Sequence, residues 1–152
     1  MEQVIEPPMD TGTATRASLG FLLAKASQRW NELLHAKFSE RGYGEVRPAY
    51  GSILLPLFEE DGLRIGELGR RARLAKQTMT TMIRLMEREG LVIPEPDPDD
   101  GRAIRVHLTA RARRFRPVAE QVLAELDGLV SQALGAERSL ELAHDLEEVS
   151  TL

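Results

Sequence analysis

The chain has 152 residues, of which 42% are hydrophobic and 29% charged, the proportions of one ordinary globular domain. It contains no cysteine, which excludes a disulfide framework and a thiolate nucleophile, and no apolar run reaches the roughly 18 residues of a membrane span. The net charge of −4 conceals a basic centre with twelve Lys/Arg against seven Asp/Glu in residues 63–114, and the opening residues lack a signal-peptide pattern, so we expect a cytoplasmic protein.

The N-terminal third of the chain predicts an arm and two helices. Residues 1–15 are rich in Pro, Gly and Thr without a period, and we expect them to form a flexible arm. From Arg16 apolar residues recur every three or four positions, which predicts a helix of about six turns. Its stripe consists of Leu19, Leu22, Leu23, Ala26, Trp30, Leu33, Leu34 and Phe38. A second helix is predicted over Tyr50–Phe58, with Pro48 in its first turn and Pro56 expected to bend or weaken it.

Two helices joined by a tight turn come next. Ile65, Leu68 and Ala72 mark the third helix, residues 73–75 form the turn, and residues 76–89 form the fourth helix. The buried face of the fourth helix contains Met79, Met82, Ile83 and Met86, a stripe that indicates core packing rather than a cofactor site. Gly90 suits the left-handed position after that helix, where Leu91 can cover Met86.

The segment Asp97–Thr109 is the most informative part of the chain. It starts as an acidic turn and continues as a strand in which two sets of side chains alternate. One set is Ile104, Val106 and Leu108, and the other is Ala103, Arg105 and His107. With residues 91–93 as the partner strand, the segment predicts a small β-hairpin after the fourth helix. A helix-turn-helix followed by such a hairpin outlines a winged helix-turn-helix, and the fold class is therefore mainly α with a small β-hairpin.

The tip of this hairpin carries the charges that bear on function. Three carboxylates before a glycine suggest a calcium loop, but counting from Asp97 the fifth position is Gly101 and the twelfth is a leucine, so that interpretation fails. We expect Arg102 to enter the minor groove of DNA, where narrow A·T-rich stretches have an enhanced negative potential. Arg105 is the second DNA-binding candidate of the wing, and Asp100 is expected to pair with one of these arginines. An ordinary solvated turn is the alternative.

The C-terminal third predicts two more helices and a dimer. Thr109 can cap the first of them, and a second amphipathic segment covers residues 136–149. The stripe of the first contains Phe115, Val118, Ala119, Val122, Leu126, Leu129, Val130 and Ala133. Together with the first helix, these stripes are longer than a unit of about 50 residues can cover, and such surfaces do not stay exposed. We therefore predict a homodimer.

The outer face of the fourth helix is the predicted base-reading surface. Side chains off its methionine stripe are Lys76, Gln77, Thr78, Thr80, Thr81 and Arg84. These residue types can donate to, accept from or touch base edges in the major groove, which the N-terminal half of the second helix of a helix-turn-helix enters. A solvated helix face is the plainer interpretation, but threonine-rich faces are poor helix formers.

With these segments in view, the chain resembles the MarR (multiple antibiotic resistance regulator) family from about Arg16 to Leu146. The acidic turn, arginine, strand and Leu-Thr of residues 97–109 carry the likeness most specifically, followed by residues 77–92 and 63–69 and by the Pro-x-aromatic start at Pro48. The sequence departs from the family at several positions, among them Pro56, which is unexpected and would alter the floor of a ligand pocket. Gln77 stands where serine is frequent, Thr81 where arginine is frequent, and Ala112 where glycine is common.

The resemblance implies a dimeric, sequence-specific transcriptional regulator that binds a pseudo-palindromic operator in double-stranded DNA and is typically a repressor. It divides residues 16–152 into a winged helix-turn-helix (48–109) and dimerisation helices (16–42 and 110–150). It also implies a small aromatic or anionic effector between the two parts. On our helix assignment the aromatic and titratable groups placed there are Trp30, His35 and Tyr50. Packing in the core is the alternative role for these three.

The sequence also bears on two other functions. The three histidines are scattered, without the helical pairing of a metal site, and neither a nucleophile elbow nor a phosphate loop occurs, so we predict no enzyme, no catalytic residues, no metal and no cofactor. A winged-helix module that binds only protein is the alternative function. Such a module would not need the polar outer face of residues 76–84.

Overall fold

The computed structural model describes residues 18–152, so the predicted flexible arm at residues 1–15 lies outside the described residues. The helices are α1 (Leu19–Glu40), α2 (Gly51–Glu59), α3 (Ile65–Ala72), α4 (Lys76–Arg88), α5 (Ala110–Leu134) and α6 (Ala136–Val149), with a 3-10 turn (Pro48–Tyr50) before α2. The strands are β1 (Leu63–Arg64), β2 (Val92–Pro96) and β3 (Ile104–Leu108). The predicted helices are confirmed, with boundaries that shift by only a few residues.

Local capping explains where two of these elements begin and end. Thr109 caps α5 as predicted, because its side chain accepts a hydrogen bond from the backbone of Ala112 at 3.1 Å. After α4, Gly90 adopts a left-handed φ of 76°. Leu91 then donates to the carbonyl of Met86 at 2.9 Å and is itself buried, which is the predicted helix exit.

The sheet has three antiparallel strands in the order β1-β3-β2, where the sequence predicted a two-stranded hairpin. Residues 63 and 64, directly before the predicted third helix, form β1 and pair with Val106 and Arg105 of β3. A strand of two residues is too short to show a period in the sequence. It forms because the edge of β3 that does not pair with β2 can form hydrogen bonds with it. The alternation within β3 is confirmed, since Val106 and Leu108 are buried while Arg105 and His107 are partly exposed.

The core lies where α1 and α5 meet the winged-helix elements. The Phe115 ring packs against those of Phe38 and Tyr43, with centroids 4.8 and 5.0 Å away, and Phe58 lies at 6.5 Å. This cluster joins α1, α2 and α5. Pro56 lies inside α2, which ends three residues further on, and a second internal proline, Pro117, interrupts the hydrogen bonding of α5 without ending it.

Large apolar side chains remain uncovered on the long helices. They are Leu19, Phe21 and Leu22 on α1, Leu129 on α5, and Leu140, Leu142, Leu146 and Val149 on α6. No residue of α6 is buried. Despite these exposed groups, none of the helices within residues 18–152 is both long and apolar enough to span a membrane.

Candidate nucleic-acid interface and ligand cavity

The turn between α3 and α4 sets the position of the candidate recognition helix. Gly69 allows close packing, since a Cβ there would lie 3.3 Å from Met79 Cγ on α4. Arg73 ends α3 with a φ of 54°, a left-handed conformation that is uncommon for a residue other than glycine. Its guanidinium donates to the carbonyl of Ser150 at 2.7 Å, beyond the end of α6. The sequence predicted the turn at residues 73–75 but gave no signal for the arginine's backbone conformation.

The two faces of α4 divide as predicted. Met79, Ile83 and Met86 are buried, whereas the predicted base-reading side chains point outward. Of these, Lys76, Gln77, Thr78, Thr81 and Arg84 are exposed and Thr80 is partly exposed. The two hydroxyls of Thr80 and Thr81 donate to the carbonyls of Lys76 and Gln77 at 3.0 and 3.1 Å. Their oxygen lone pairs and methyl groups stay available, the features that can meet an amino group or a thymine methyl of DNA.

The wing consists of β2, the turn 97–103 and β3. Arg102 lies exposed at its tip. Asp97 and Ala103 close the turn, since the Asp97 N–H donates to the Ala103 carbonyl at 2.8 Å. The carboxylate of Asp100 accepts from the backbone N–H of Arg102 at 3.0 Å. The predicted ion pair of Asp100 with Arg102 or Arg105 is wrong. The Asp100 side chain instead orients the tip by binding the backbone N–H of Arg102.

Asp97 is the carboxylate that pairs with arginines, a role that was not predicted from the sequence. Its side chain is fully buried and accepts from Arg64 Nε and Arg105 Nε, each at 2.8 Å, and from the backbone N–H of Asp99. The Asp99 hydrogen bond, aided by both guanidinium groups, lowers the pKa of Asp97 below its usual range. The one available signal was the position of Asp97 directly after β2. This position did not distinguish it from the acidic residues nearby.

Arg105 is partly exposed and lies within β3, where it is held by groups of the protein itself rather than free at the wing tip. Besides Asp97, it contacts the carbonyl of Gly62 through Nη1 at 2.9 Å, so it ties β3 to the loop before β1. By contrast, Lys76, Arg84 and Arg102 form no ion pair with any residue between 18 and 152, and their charges face solvent. The candidate DNA-contacting charges on α4 and at the tip of the wing are therefore not neutralised by described residues.

A cavity of about 250 Å³ lies between α1, α2 and α5. Its lining is mainly apolar and includes Trp30, Leu34, Phe38, Phe58, Phe115 and Leu123. Asn31, Arg47 and Ser52 supply polar groups, and Arg47 forms no ion pair within the described part of the chain. Leu55 lines the cavity whereas Pro56 does not. An apolar pocket with a few polar groups is the usual form of a small-molecule site.

Of the three predicted effector residues, only Trp30 lines this cavity. His35 lies on the outside, where Nε2 is 3.1 Å from the Gly44 carbonyl. It follows Trp30 by five positions, about 140° around a helix, and so faces elsewhere. Tyr50 is buried in the core, and its hydroxyl donates to Glu89 Oε1 at 3.1 Å. The prediction of a shared site for the three residues is therefore wrong.

A second cavity, of about 440 Å³, lies beneath α6. Trp30 lines it as well, together with Val130 of α5 and Leu140 and Leu146 of α6. The indole thus separates two apolar spaces. Across residues 18–152, no group of three or more His, Cys, Asp or Glu is arranged to hold a metal ion.

Comparison with known proteins places this geometry among DNA-binding regulators. The model of the MarR family matches residues 48–104. The HTH-type transcriptional repressor Rv2887 of Mycobacterium tuberculosis is 30% identical over 140 residues, covering 92% of this chain and 99% of that protein. The structure of Rv2887 with salicylic acid, described as a MarR family protein, has a TM-score of 0.61 and covers 88% of this chain and 96% of its own.

Two other structures have the same fold at 21% identity and a TM-score of 0.77. One is the regulator PcaV of Streptomyces coelicolor in complex with its natural ligand, covering 91% of this chain and 96% of that chain. The other is the transcriptional repressor CouR bound to a 23-mer DNA duplex, covering 91% of this chain and 99% of that chain. At this identity the likeness shows the fold alone.

Proposed function

The chain belongs to the MarR family, and we propose that it is a transcriptional repressor that binds a pseudo-palindromic DNA operator as a homodimer and responds to a small aromatic or anionic effector. Residues 48–109 form the DNA-binding unit in this proposal, and residues 16–42 and 110–150 form the dimerisation helices. We propose that the protein acts in the cytoplasm, since its proposed target is DNA. The family consists of transcriptional regulators, and we propose no catalytic activity.

The observation that carries the DNA-binding proposal is the combined surface of α4 and the wing tip. Lys76 and Arg84 on α4 and Arg102 on the wing present charges that no described residue neutralises. Gln77, Thr78, Thr80 and Thr81 lie between them on the same helix. Cations at both ends of a polar face suit a helix that reads bases while its flanks hold phosphates. The fold itself accommodates DNA, since CouR is bound to a duplex.

Dimerisation follows from the uncovered apolar side chains. Leu140 is 74% exposed, and it belongs to the apolar set on α1, α5 and α6 that has no cover within the described chain. Apolar surface of this extent marks an interaction site in a soluble protein. A second copy with the same three helices would bury both sets at once and place two copies of α4 on one side of the dimer, as a pseudo-palindromic operator requires.

The cavity between α1, α2 and α5 is the proposed effector site. Its volume of about 250 Å³ suits a molecule of one or two rings, the apolar lining suits an aromatic body, and Arg47 suits an anionic group. Rv2887 binds salicylic acid, and PcaV binds its natural ligand. We therefore choose salicylate as the first probe and assign Trp30 and Arg47 as contacts.

Titration of fluorescent DNA from upstream of the protein's own gene tests the proposal. We expect tight binding to one segment, weaker binding to random DNA, and relaxed sequence preference of about 1–3 kcal/mol per misread base pair after substitution of Gln77 or Thr81. Equal binding to both DNAs would contradict sequence-specific regulation. No binding to either would leave a protein-interaction module. Addition of salicylate, with benzamide as a neutral control, then tests whether an aromatic anion releases the DNA.

A further inference from the structure

The 3-10 turn Pro48–Tyr50 lies between the cavity and the C-terminal end of α4. On one side, Pro48 and the following Gly51 line the cavity. On the other side, the ring of Tyr50 is only 2% exposed and extends toward the end of α4. The turn is closed by the N–H of Tyr50, which donates to the carbonyl of Arg47 at 2.9 Å. Because these residues are consecutive, an occupant that displaces the cavity side also displaces Tyr50.

The partner of Tyr50 is a carboxylate, Glu89. Glu89 ends α4, and its Oε1 accepts the tyrosine hydroxyl at 3.1 Å. Its Oε2 is buried and receives no hydrogen bond from any described residue. A buried carboxylate oxygen without a donor is costly, and the cost rises if the other oxygen loses its donor too. The carboxylate therefore depends on the Tyr50 hydroxyl.

Burial, reinforced by Glu89, raises the pKa of Tyr50, which keeps the hydroxyl protonated and donating. Packing alone would need neither a hydroxyl nor a carboxylate here. Beyond Glu89, the chain passes through the left-handed Gly90 and the buried Leu91 into β2. A shift of Glu89 consequently acts on the C-terminal half of α4 and on the base of the wing together.

We propose that Tyr50 and Glu89 are positioning residues that couple occupancy of the cavity to the pose of the recognition helix. The inference rests on the proposed function, since it assigns the route by which an effector lowers DNA affinity. An occupant that displaces the turn weakens the hydrogen bond, and the end of α4 then moves away from its DNA-binding pose. Neither residue touches DNA or the occupant.

The absence of cysteine from the chain allows a test that needs no knowledge of the natural effector. Ser52 is exposed and lines the cavity, so Ser52→Cys can be labelled with benzyl methanethiosulfonate, which places an aromatic ring at the cavity and is removed by dithiothreitol. Ser39→Cys, exposed on α1 and outside the cavity lining, is the labelled control. DNA affinity and amide hydrogen exchange of residues 86–92 are measured before and after labelling.

We expect the label at residue 52 to weaken operator binding by about tenfold, the size of an ordinary coupling between two sites, and to speed exchange at residues 86–92. Adding Tyr50→Phe or Glu89→Leu should reduce the effect of the label to less than about twofold, and the two together should do no more than either. Glu89→Gln retains an oxygen that accepts from Tyr50 and should retain the coupling. If the pair were merely structural, these substitutions would change the DNA affinity but not the ratio of the affinities of labelled and unlabelled protein.

The proposal would be overturned if the ratio of the DNA affinities of labelled and unlabelled protein stayed the same in Tyr50→Phe and Glu89→Leu. It would also be overturned if a label at residue 52 affected DNA affinity no more than a label at residue 39. If one variant fails to fold, the other gives the same comparison. If the unlabelled protein binds no DNA, the proposed function is wrong, and the exchange of residues 86–92 still decides whether the cavity and α4 are coupled.

Discussion

Replacement of Arg102 by alanine should make DNA binding less sensitive to salt. The proposed DNA-contacting residues of each protomer include three cations, Lys76, Arg84 and Arg102, that form no ion pair within residues 18–152, which gives six in the proposed dimer. If each contacts a phosphate or lies within the groove, counterion release predicts a slope of about −5.4 for log K against log salt concentration. Raising the salt fourfold would then weaken binding by about 2,000-fold.

Removal of Arg102 from both protomers leaves four contacts and a slope of about −3.6, so the same rise in salt should weaken binding by about 150-fold. The assay is fluorescence anisotropy with a labelled operator between 50 and 200 mM salt, with thermal unfolding measured alongside. Because the side chain is exposed, the unfolding midpoint should stay close to that of the unaltered protein.

Arg138→Ala is the matched control, since Arg138 is exposed on α6 and its loss changes the net charge equally. Its slope should equal that of the unaltered protein. The reasoning would be refuted if Arg102→Ala kept the full slope, because the wing tip would then lie away from the duplex. It would also fail if Arg138→Ala lowered the slope equally, because only the overall charge would then matter.

Three further predictions concern the wing and the core. Asp97→Ala and Asp100→Ala should both weaken operator binding at fixed salt, and Asp97→Ala should weaken it more. Loss of a negative charge alone would strengthen binding, so tighter binding in either variant would contradict an orienting role. Phe115→Ala should reduce the free energy of unfolding in urea by about 3–5 kcal/mol, since it empties the centre of the aromatic cluster. Tyr50 has a raised folded pKa, so its contribution to stability is present below about pH 10 and is lost as the pH rises through the folded pKa. Urea unfolding from pH 9 upward should show this loss, and Tyr50→Phe should show a smaller one.

Long periodic segments could be predicted from the sequence because their apolar stripes report which face is buried. α1 and α5 follow this rule, and the exit of α4 was predictable because Gly90 tolerates a left-handed φ. β1 could not be predicted, since two residues show no period and the strand depends on an edge of β3 some 40 residues away. The left-handed Arg73 likewise depends on its surroundings rather than on its own preference.

The same distinction applies to the candidate site. The outer face of α4 follows from its position opposite the methionine stripe, so its side chains could be assigned from the sequence. The ion pairs of Asp97 join three separate segments, and local sequence does not identify which of several aspartates is buried. For the effector cavity, the contribution of Trp30 could be predicted from its position on α1. The orientation of the Tyr50 ring, which points towards Glu89 and away from the cavity, could not.

Trp30 is the single tryptophan of the chain, and its indole borders both the cavity between α1, α2 and α5 and the one beneath α6. Intrinsic fluorescence excited in the indole band therefore arises from one place in the protein. Its emission wavelength would report the polarity of both spaces, and a bound aromatic acid would quench it directly. The unmodified protein thus carries its own optical probe, with which the proposed effector binding and subunit exchange can be followed in real time.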